Sequence, residues 1–314
     1  MIAPRAYGPA STRWAGAEDL NCLTMLELAS NAVVTGLLLG GIYAVASLGL
    51  TIAFGLLQVP NVAHPTFVVL GAYCAYFGNL LGIDPVLAGV LFAPVFYIAG
   101  MLFYEAYFVC FERRGRGDTL QSFTFFFGVA LVLEVALILA VGVDLRSIGA
   151  PYIGKSLTVG SVIMPYRLVI PFVIGSAVGA GMWLFLTRTH SGLALRAVAH
   201  DDRALRIVAL NPARIKRYAF GIAMMTAAFA GAALIVLNPV DPFIGGEYIG
   251  RTFAIVVLAG MGSVPGTLVA AGIIGLMESL VVTFVGASWA PGVSFTVLLA
   301  TLAIRPSGIF GIAR

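Results

Sequence analysis

The sequence predicts an all-α fold, a polytopic helical membrane protein of about 8–9 transmembrane segments, some of them broken or re-entrant. Three observations carry that prediction. Of 314 residues, 60% are hydrophobic and only 10% charged, and the mean hydropathy is +1.01. Apolar runs repeatedly reach the length of about 20 residues that a helix needs to cross hydrocarbon. Those runs lack the period-2 alternation of barrel strands, so their backbone groups must be satisfied within helices.

The net charge of +4 reflects topology. Lys and Arg gather between the apolar runs, as they do in cytoplasmic loops, and nothing points to nucleic acid. Cys22, Cys74 and Cys110 are too scattered for a disulfide framework or a thiolate metal site. His64, His190 and His200 show no ligand spacing either.

Residues 1–27 hold Pro4, Pro9, Arg5, Arg13, Glu18 and Asp19 without periodicity. They read as a poorly ordered N-terminal tail, with Met25 a second candidate start, ahead of a membrane domain over 28–314. The first helix covers about Leu28–Leu56, and Gly36, Gly40 and Gly41 give it a small-residue face for close packing. Gln58–Pro65 is a polar break in apolar sequence. Asn61, His64 and Thr66 at membrane depth survive only against protein or a water-filled path. Two readings stand, a loop turn and a broken helix lining a translocation pathway, and the second is preferred.

A second run ends near Leu81, Asp84 sits in a turn, and Val86–Phe108 is the third span. Phe111–Asp118, with Arg113, Arg114 and Arg116, is a cytoplasmic loop that Glu105 and Glu112 approach. Thr119–Val141 crosses outward, 142–166 is external, and Leu168–Leu186 returns.

The segment 188–217 then concentrates Arg188, Arg196, Arg203, Arg206, Arg214, Lys216 and Arg217. Such a density of charge places it in water on the cytoplasmic side. Leu195, Val198 and Ala199, then Leu205, Val208 and Ala209, recur at helical spacing. Asp201 is a candidate N-cap, and Asn211-Pro212 reads as the N-cap and first residue of the next long helix. Two short amphipathic helices between spans make a docking surface for a cytoplasmic partner.

Tyr218–Leu237 leads out to an external Asn238–Gly250, and the ending Arg305–Gly311 is cytoplasmic. An odd number of crossings must lie between. Thr252–Gly286 therefore splits into two antiparallel pieces at the turn cluster Gly260, Gly262, Ser263, Pro265 and Gly266, with Trp289–Ile304 the last span. The piece Thr252–Met261 is too short to stand upright across a bilayer, so a tilted, short or re-entrant helix is expected. The same parity places the N-terminus outside.

Two carboxylates fall within spans, Glu134 and Glu278, and an intramembrane carboxylate is by default a functional candidate. Neither has a basic partner in its own span, which leaves proton coupling open. Gly149–Ser156 satisfies the expression G-x-x-x-x-G-K-[ST]. A membrane helix precedes it and extended sequence follows, so the strand-loop-helix cradle for phosphates is missing.

Five stretches, in order, carry a family resemblance: Gly49–Gly55 (GLTIAFG), Asn61–His64 (NVAH) with Leu70–Tyr73, Ser191–Asp201 (SGLALRAVAHD), Val257–Gly266 (VLAGMGSVPG) and Arg305–Gly311 (RPSGIFG). The chain resembles the membrane permease subunits of ATP-binding cassette importers for branched-chain amino acids and related small polar solutes. The resemblance implies a multi-pass subunit of the bacterial inner membrane that does no covalent chemistry. It implies a sister permease forming a heterodimer, two cytoplasmic ATPase subunits that bind the ATP and Mg, and a periplasmic solute-binding protein. It makes 188–217 the coupling loop, with Gly192, Arg196, Ala197, Asp201, Ala204 and Ile207 at the matching docking positions. The pathway is then expected near Tyr43, Asn61, His64 and Thr66, with Glu278. Where the family usually has Asn-Phe-Ala-His-Gly-Glu, this chain has Asn61-Val62-Ala63-His64-Pro65-Thr66, which leaves the solute open between a branched-chain amino acid and a different compound, such as an acid, an amide, a urea-like or an aromatic one. The alternative is a self-sufficient secondary transporter or channel in which Glu134 or Glu278 couples protons.

Overall fold

The computed structural model describes residues 15–114, 119–200, 211–305 and 307–311, excepting the side chains of 15–24, 114 and 200. The helices are α1 (Ala15–Leu50), running into a π-helical turn (Thr51–Leu56), then α2 (His64–Leu80), α3 (Pro85–Cys110) and α4 (Thr119–Val141). An antiparallel hairpin, β1 (Ser156–Val159) and β2 (Val162–Pro165), leads into α5 (Tyr166–Arg188) and the short α6 (His190–His200). The last four are α7 (Pro212–Leu237), α8 (Ile244–Ala259), α9 (Val264–Phe284) and α10 (Ala290–Ile304).

Among the described residues, 7 helices are long and apolar enough to cross a membrane. Helices α2 and α8, of 17 and 16 residues, fall short. At about 1.5 Å per residue they reach roughly 25 Å against a hydrocarbon core of about 30 Å. With those two, the architecture is the polytopic helical bundle that the apolar runs predict.

Helix α1 begins at Ala15 and so extends into the segment 1–27. Once a long helix is nucleated, each added residue contributes a hydrogen bond for little further cost. Residues 1–14, the rest of the expected tail, lie outside the described residues.

The centre of the bundle is α7 with α1, each 83% buried over its most apolar window. Alanine makes this possible: Ala219, Ala223, Ala227, Ala228, Ala230, Ala232 and Ala233 on α7 are all essentially inaccessible. A Cβ on Gly231 would lie 2.3 Å from the backbone nitrogen of Ala72, so α2 and α7 meet backbone to backbone. At the periphery only 11% of the corresponding window of α4 is buried. Leu120, Val132 and Leu139 on α4 face outward.

Polar contacts fix the ends. At the end assigned to the cytoplasm, Lys216 of α7 pairs with Glu112 at 3.0 Å, which also accepts from the Tyr104 hydroxyl at 2.7 Å. Arg217 pairs with Glu105. At the other end the Asn31 amide clasps the hairpin, donating to the Ser161 carbonyl at 3.1 Å and accepting from the Ile163 N–H at 2.9 Å.

Helix α8 departs from the sequence expectation. Asp241 accepts from the N–H groups of Phe243 and Ile244 at 2.7 and 3.0 Å. This local turn starts the helix at Ile244, inside what reads as the external loop Asn238–Gly250. The expected turn after it is present: Gly260 and Gly262 have φ of 88° and 86°, and Ser263 Oγ caps α9 by accepting from Gly266 N–H at 3.1 Å.

Candidate functional site

Early onset of α8 moves Arg251 from the edge of a loop to the middle of an apolar helix. There it meets Glu278 of α9. The carboxylate is held by three donors from three helices. Oε1 accepts from Arg251 Nε at 3.0 Å and from Ser294 Oγ of α10 at 2.8 Å, and Oε2 accepts from the Tyr43 hydroxyl of α1. The guanidinium carbon stands 5.9 Å from the Tyr43 ring centroid and 5.4 Å from that of Tyr248. The two tyrosine rings meet edge to face with centroids 6.3 Å apart. Side-chain exposure is 4% for Glu278 and 15% for Arg251. A lone charge so buried would be prohibitive; paired, hydrogen-bonded and flanked by aromatic faces, the two charges are tolerated.

Thus Tyr43 and Glu278, singled out separately in the sequence, share one cluster, and three further members escape sequence reading. Arg251 lies 27 residues before Glu278 and on another helix, so a search for a partner within one span misses it. The signal that could have found it is an arginine in an otherwise apolar stretch nine residues before Gly260. Glu134, by contrast, is half-buried on α4, which packs chiefly against α2.

Asn61, His64 and Thr66 form a separate group. The break between α1 and α2 is real: Leu57 N–H donates to Ile52 O at 3.2 Å, a five-residue span that defines the π-turn, and Gln58 has φ of 58°. Thr51 Oγ1 bonds the Ser47 carbonyl at 2.9 Å and meets Thr267 Oγ1 of α9 at 2.8 Å, which ties the turn sideways. Asn61 and His64 are completely buried and Thr66 nearly so. His64 Nε2 is 3.1 Å from the Ala46 carbonyl, and Asn61 Nδ2 donates to Met224 Sδ at 3.4 Å. Ser47 Oγ, Asn61 Oδ1 and His64 Nδ1 have no hydrogen-bond partner among the described residues. Polar atoms left bare in a packed interior are uncommon and mark a segment held by its surroundings.

Glycines gather these stretches together. A Cβ on Gly49 would lie 2.2 Å from His64 Cε1 and 2.4 Å from the Ala223 carbonyl. One on Gly55 would lie 2.0 Å from Gly262 N. One on Gly308 would lie 2.4 Å from Gly260 N, and the C-terminal segment is sewn to α8 by Ile309 N–H to Leu258 O at 2.8 Å and Phe310 N–H to Ala259 O at 3.1 Å. The stretches 49–55, 61–64, 257–266 and 305–311 therefore converge at one end of the bundle.

Helix α6 lies beside that junction. Leu195 and Val198 are buried, 2% and 5% exposed, while Leu193 stays 59% exposed. The amphipathic pattern expected over the first half of 188–217 is thus realised as a helix resting on the bundle. Gly192 makes the corner from α5: a Cβ there would lie 2.3 Å from the Phe185 carbonyl, and its N–H donates to Thr189 Oγ1 at 3.0 Å. Arg196 and Ala197 are half-buried, and Arg196 Nε has no partner among the described residues. Asp201, Ala204 and Ile207 lie outside the described residues.

Comparison with known proteins adds a family match and three relatives. The family model described as the permease component of branched-chain amino acid transport systems matches residues 32–302. The chain is 27% identical over 294 residues to the high-affinity branched-chain amino acid transport system permease protein BraD of Pseudomonas aeruginosa, covering 89% of this chain and 94% of BraD. It is 28% identical to the corresponding LivH of Escherichia coli, with 88% and 93% covered. A probable LivH of Methanocaldococcus jannaschii is 23% identical over 306 residues, with 92% and 95% covered.

Proposed function

Since this chain belongs to the family of permease components of branched-chain amino acid transport systems, a multi-pass protein of the inner (plasma) membrane, we propose that it is one transmembrane subunit of an ATP-driven importer. In this reading a periplasmic binding protein delivers a small polar solute, a sister permease completes the pathway, and two cytoplasmic ATPase subunits bind and hydrolyse the nucleotide. The chain itself carries no covalent chemistry.

The observation that supports the reading best is α6. Its buried face, Leu195 and Val198, seats it on the bundle, and it packs against both α5 and the π-turn. A motor pushing on α6 from the cytoplasm would therefore press on the turn where α1 breaks. From there Thr51 and Gly55 reach the start of α9 and the turn before it. Packed elements with two arrangements carry such motion between states. The secondary-transporter alternative would need Glu278 to leave Arg251, Ser294 and Tyr43, which engage both of its carboxylate oxygens.

Uptake into vesicles holding the reconstituted complex tests the reading. Solute accumulation should require ATP and the ATPase subunits. Accumulation that follows a proton gradient without nucleotide would establish the secondary-transporter alternative. In the same preparation Arg196→Glu should lower ATPase retention on pull-down by on the order of ten-fold, about 1.4 kcal/mol, without lowering the thermal midpoint of the bundle. Full retention would remove Arg196 from the docking surface.

A further inference from the structure

The Tyr43–Arg251–Glu278 cluster is lopsided in its hydrogen bonding. Glu278 accepts three donors, from Arg251, Ser294 and Tyr43. Arg251 offers five N–H groups, and among the described residues only Nε is used. Among the described residues its two Nη groups, with four N–H donors, meet no acceptor. The guanidinium instead stands near the Tyr43 and Tyr248 rings. It is also the more accessible half of the pair, 15% against 4%. A clamp evolved only to neutralise Glu278 would use the guanidinium fork on both carboxylate oxygens; here the second oxygen is taken by a tyrosine hydroxyl and the fork is left free.

We propose that Arg251 is the specificity-determining residue of the translocation pathway and that its free Nη edge receives the carboxylate of the transported solute. The inference rests on the importer reading above and deepens it. A planar guanidinium edge fits a carboxylate through two parallel hydrogen bonds, a geometry neither a carboxamide nor urea can match with charge. Glu278, Ser294 and Tyr248 act as positioning residues: they hold the guanidinium plane in one orientation across α8, α9 and α10. The cluster also suits a transient stop. Glu278 keeps Nε occupied throughout, so the solute competes with no existing bond on arrival and leaves no bare cation on departure.

The test uses the assembled importer in vesicles with matched probes, L-leucine and L-leucinamide, 4-methylpentanoate and 4-methylpentanamide. The same binding protein serves every variant, so a change in the carboxylate-to-carboxamide uptake ratio reports the permease. Wild type should accumulate carboxylates in preference to their amides. Arg251→Lys, which keeps the charge and loses the fork, should raise the apparent KM for the carboxylate by about ten-fold or more while the amide is unaffected. The double variant R251Q/E278Q, with neither buried charge, should recover normal folding and ATPase recruitment yet stay deficient in carboxylate uptake, its ratio moved toward the amide. Recovery of wild-type uptake and ratio in the double variant would reduce the pair to a structural clamp and overturn the proposal. ATP-driven uptake of amides as readily as carboxylates by wild type would overturn it as well, while leaving the importer reading intact. Loss of ATP dependence would instead sink that reading.

Discussion

Glu278→Ala is expected to cost about 3–5 kcal/mol of stability, because it strands the Arg251 guanidinium in the interior without its counter-ion. The same change removes the acceptor of the Ser294 and Tyr43 hydroxyls, leaving two further donors unpaired. Contacts joining α1, α8, α9 and α10 loosen at once, so the effect should be read as a cooperative drop in the thermal midpoint of the detergent-solubilised protein. Glu278→Gln should be milder, since the amide oxygen still accepts from Arg251 and Ser294. A loss below about 1 kcal/mol for the alanine variant would mean that the Arg251–Glu278 pair contributes little to holding α1, α8, α9 and α10 together.

The second large effect is expected at Gly55. A methyl group there would stand 2.0 Å from the backbone nitrogen of Gly262 and 2.5 Å from its Cα. Neither is the end of a flexible side chain. Gly262 has a φ of 86° that other residues rarely adopt, and Ser263 next to it caps α9. The backbone has little room to give, so Gly55→Ala should cost toward the upper end of the about 1–3 kcal/mol typical of overpacking. It should also separate the π-turn from α9 and so uncouple ATP hydrolysis from uptake. Gly181→Ala on α5 is the matched control. Its Cβ meets nothing within 4 Å, and alanine is the better helix former by roughly 0.5–1 kcal/mol, so that variant should be neutral or slightly more stable. Equal behaviour of the two variants, in unfolding and in coupled transport, would refute the close approach of the two turns.

The two predictions separate what was visible in the linear chain from what was not. Gly55 and Gly262 each stand out as glycines in apolar sequence next to a break or a turn, but nothing in either stretch says that they touch. Glu278 stands out as a carboxylate in a span, and the absence of a basic residue in the same span makes it look unpaired. Its partner lies on α8, whose start is set by the Asp241 turn and not by hydropathy, since Ile244–Gly250 contains Glu247 and three glycines and reads as loop. Helix α1 likewise begins at Ala15, ahead of Leu28, where the apolar run starts.

By itself the sequence determines the class of solvent, the spans, the polar break after the first helix, the glycine turn after α8 and the amphipathic seat of α6. All of these follow from local quantities: the cost of moving charge into hydrocarbon, the need to satisfy each backbone group within its own segment, and the spacing of apolar residues along one helix. Only the tertiary structure decides that Tyr43, Tyr248, Arg251, Glu278 and Ser294 meet, and that Asn61 and His64 are enclosed apart from them. Which faces oppose each other depends on the rotation and tilt of four helices fixed jointly by small-residue contacts such as Gly40 against Gly272. In a lipid-like solvent, where one apolar surface attracts another no more than it attracts acyl chains, shape complementarity and polar pairing set those rotations, and neither is written in any single segment.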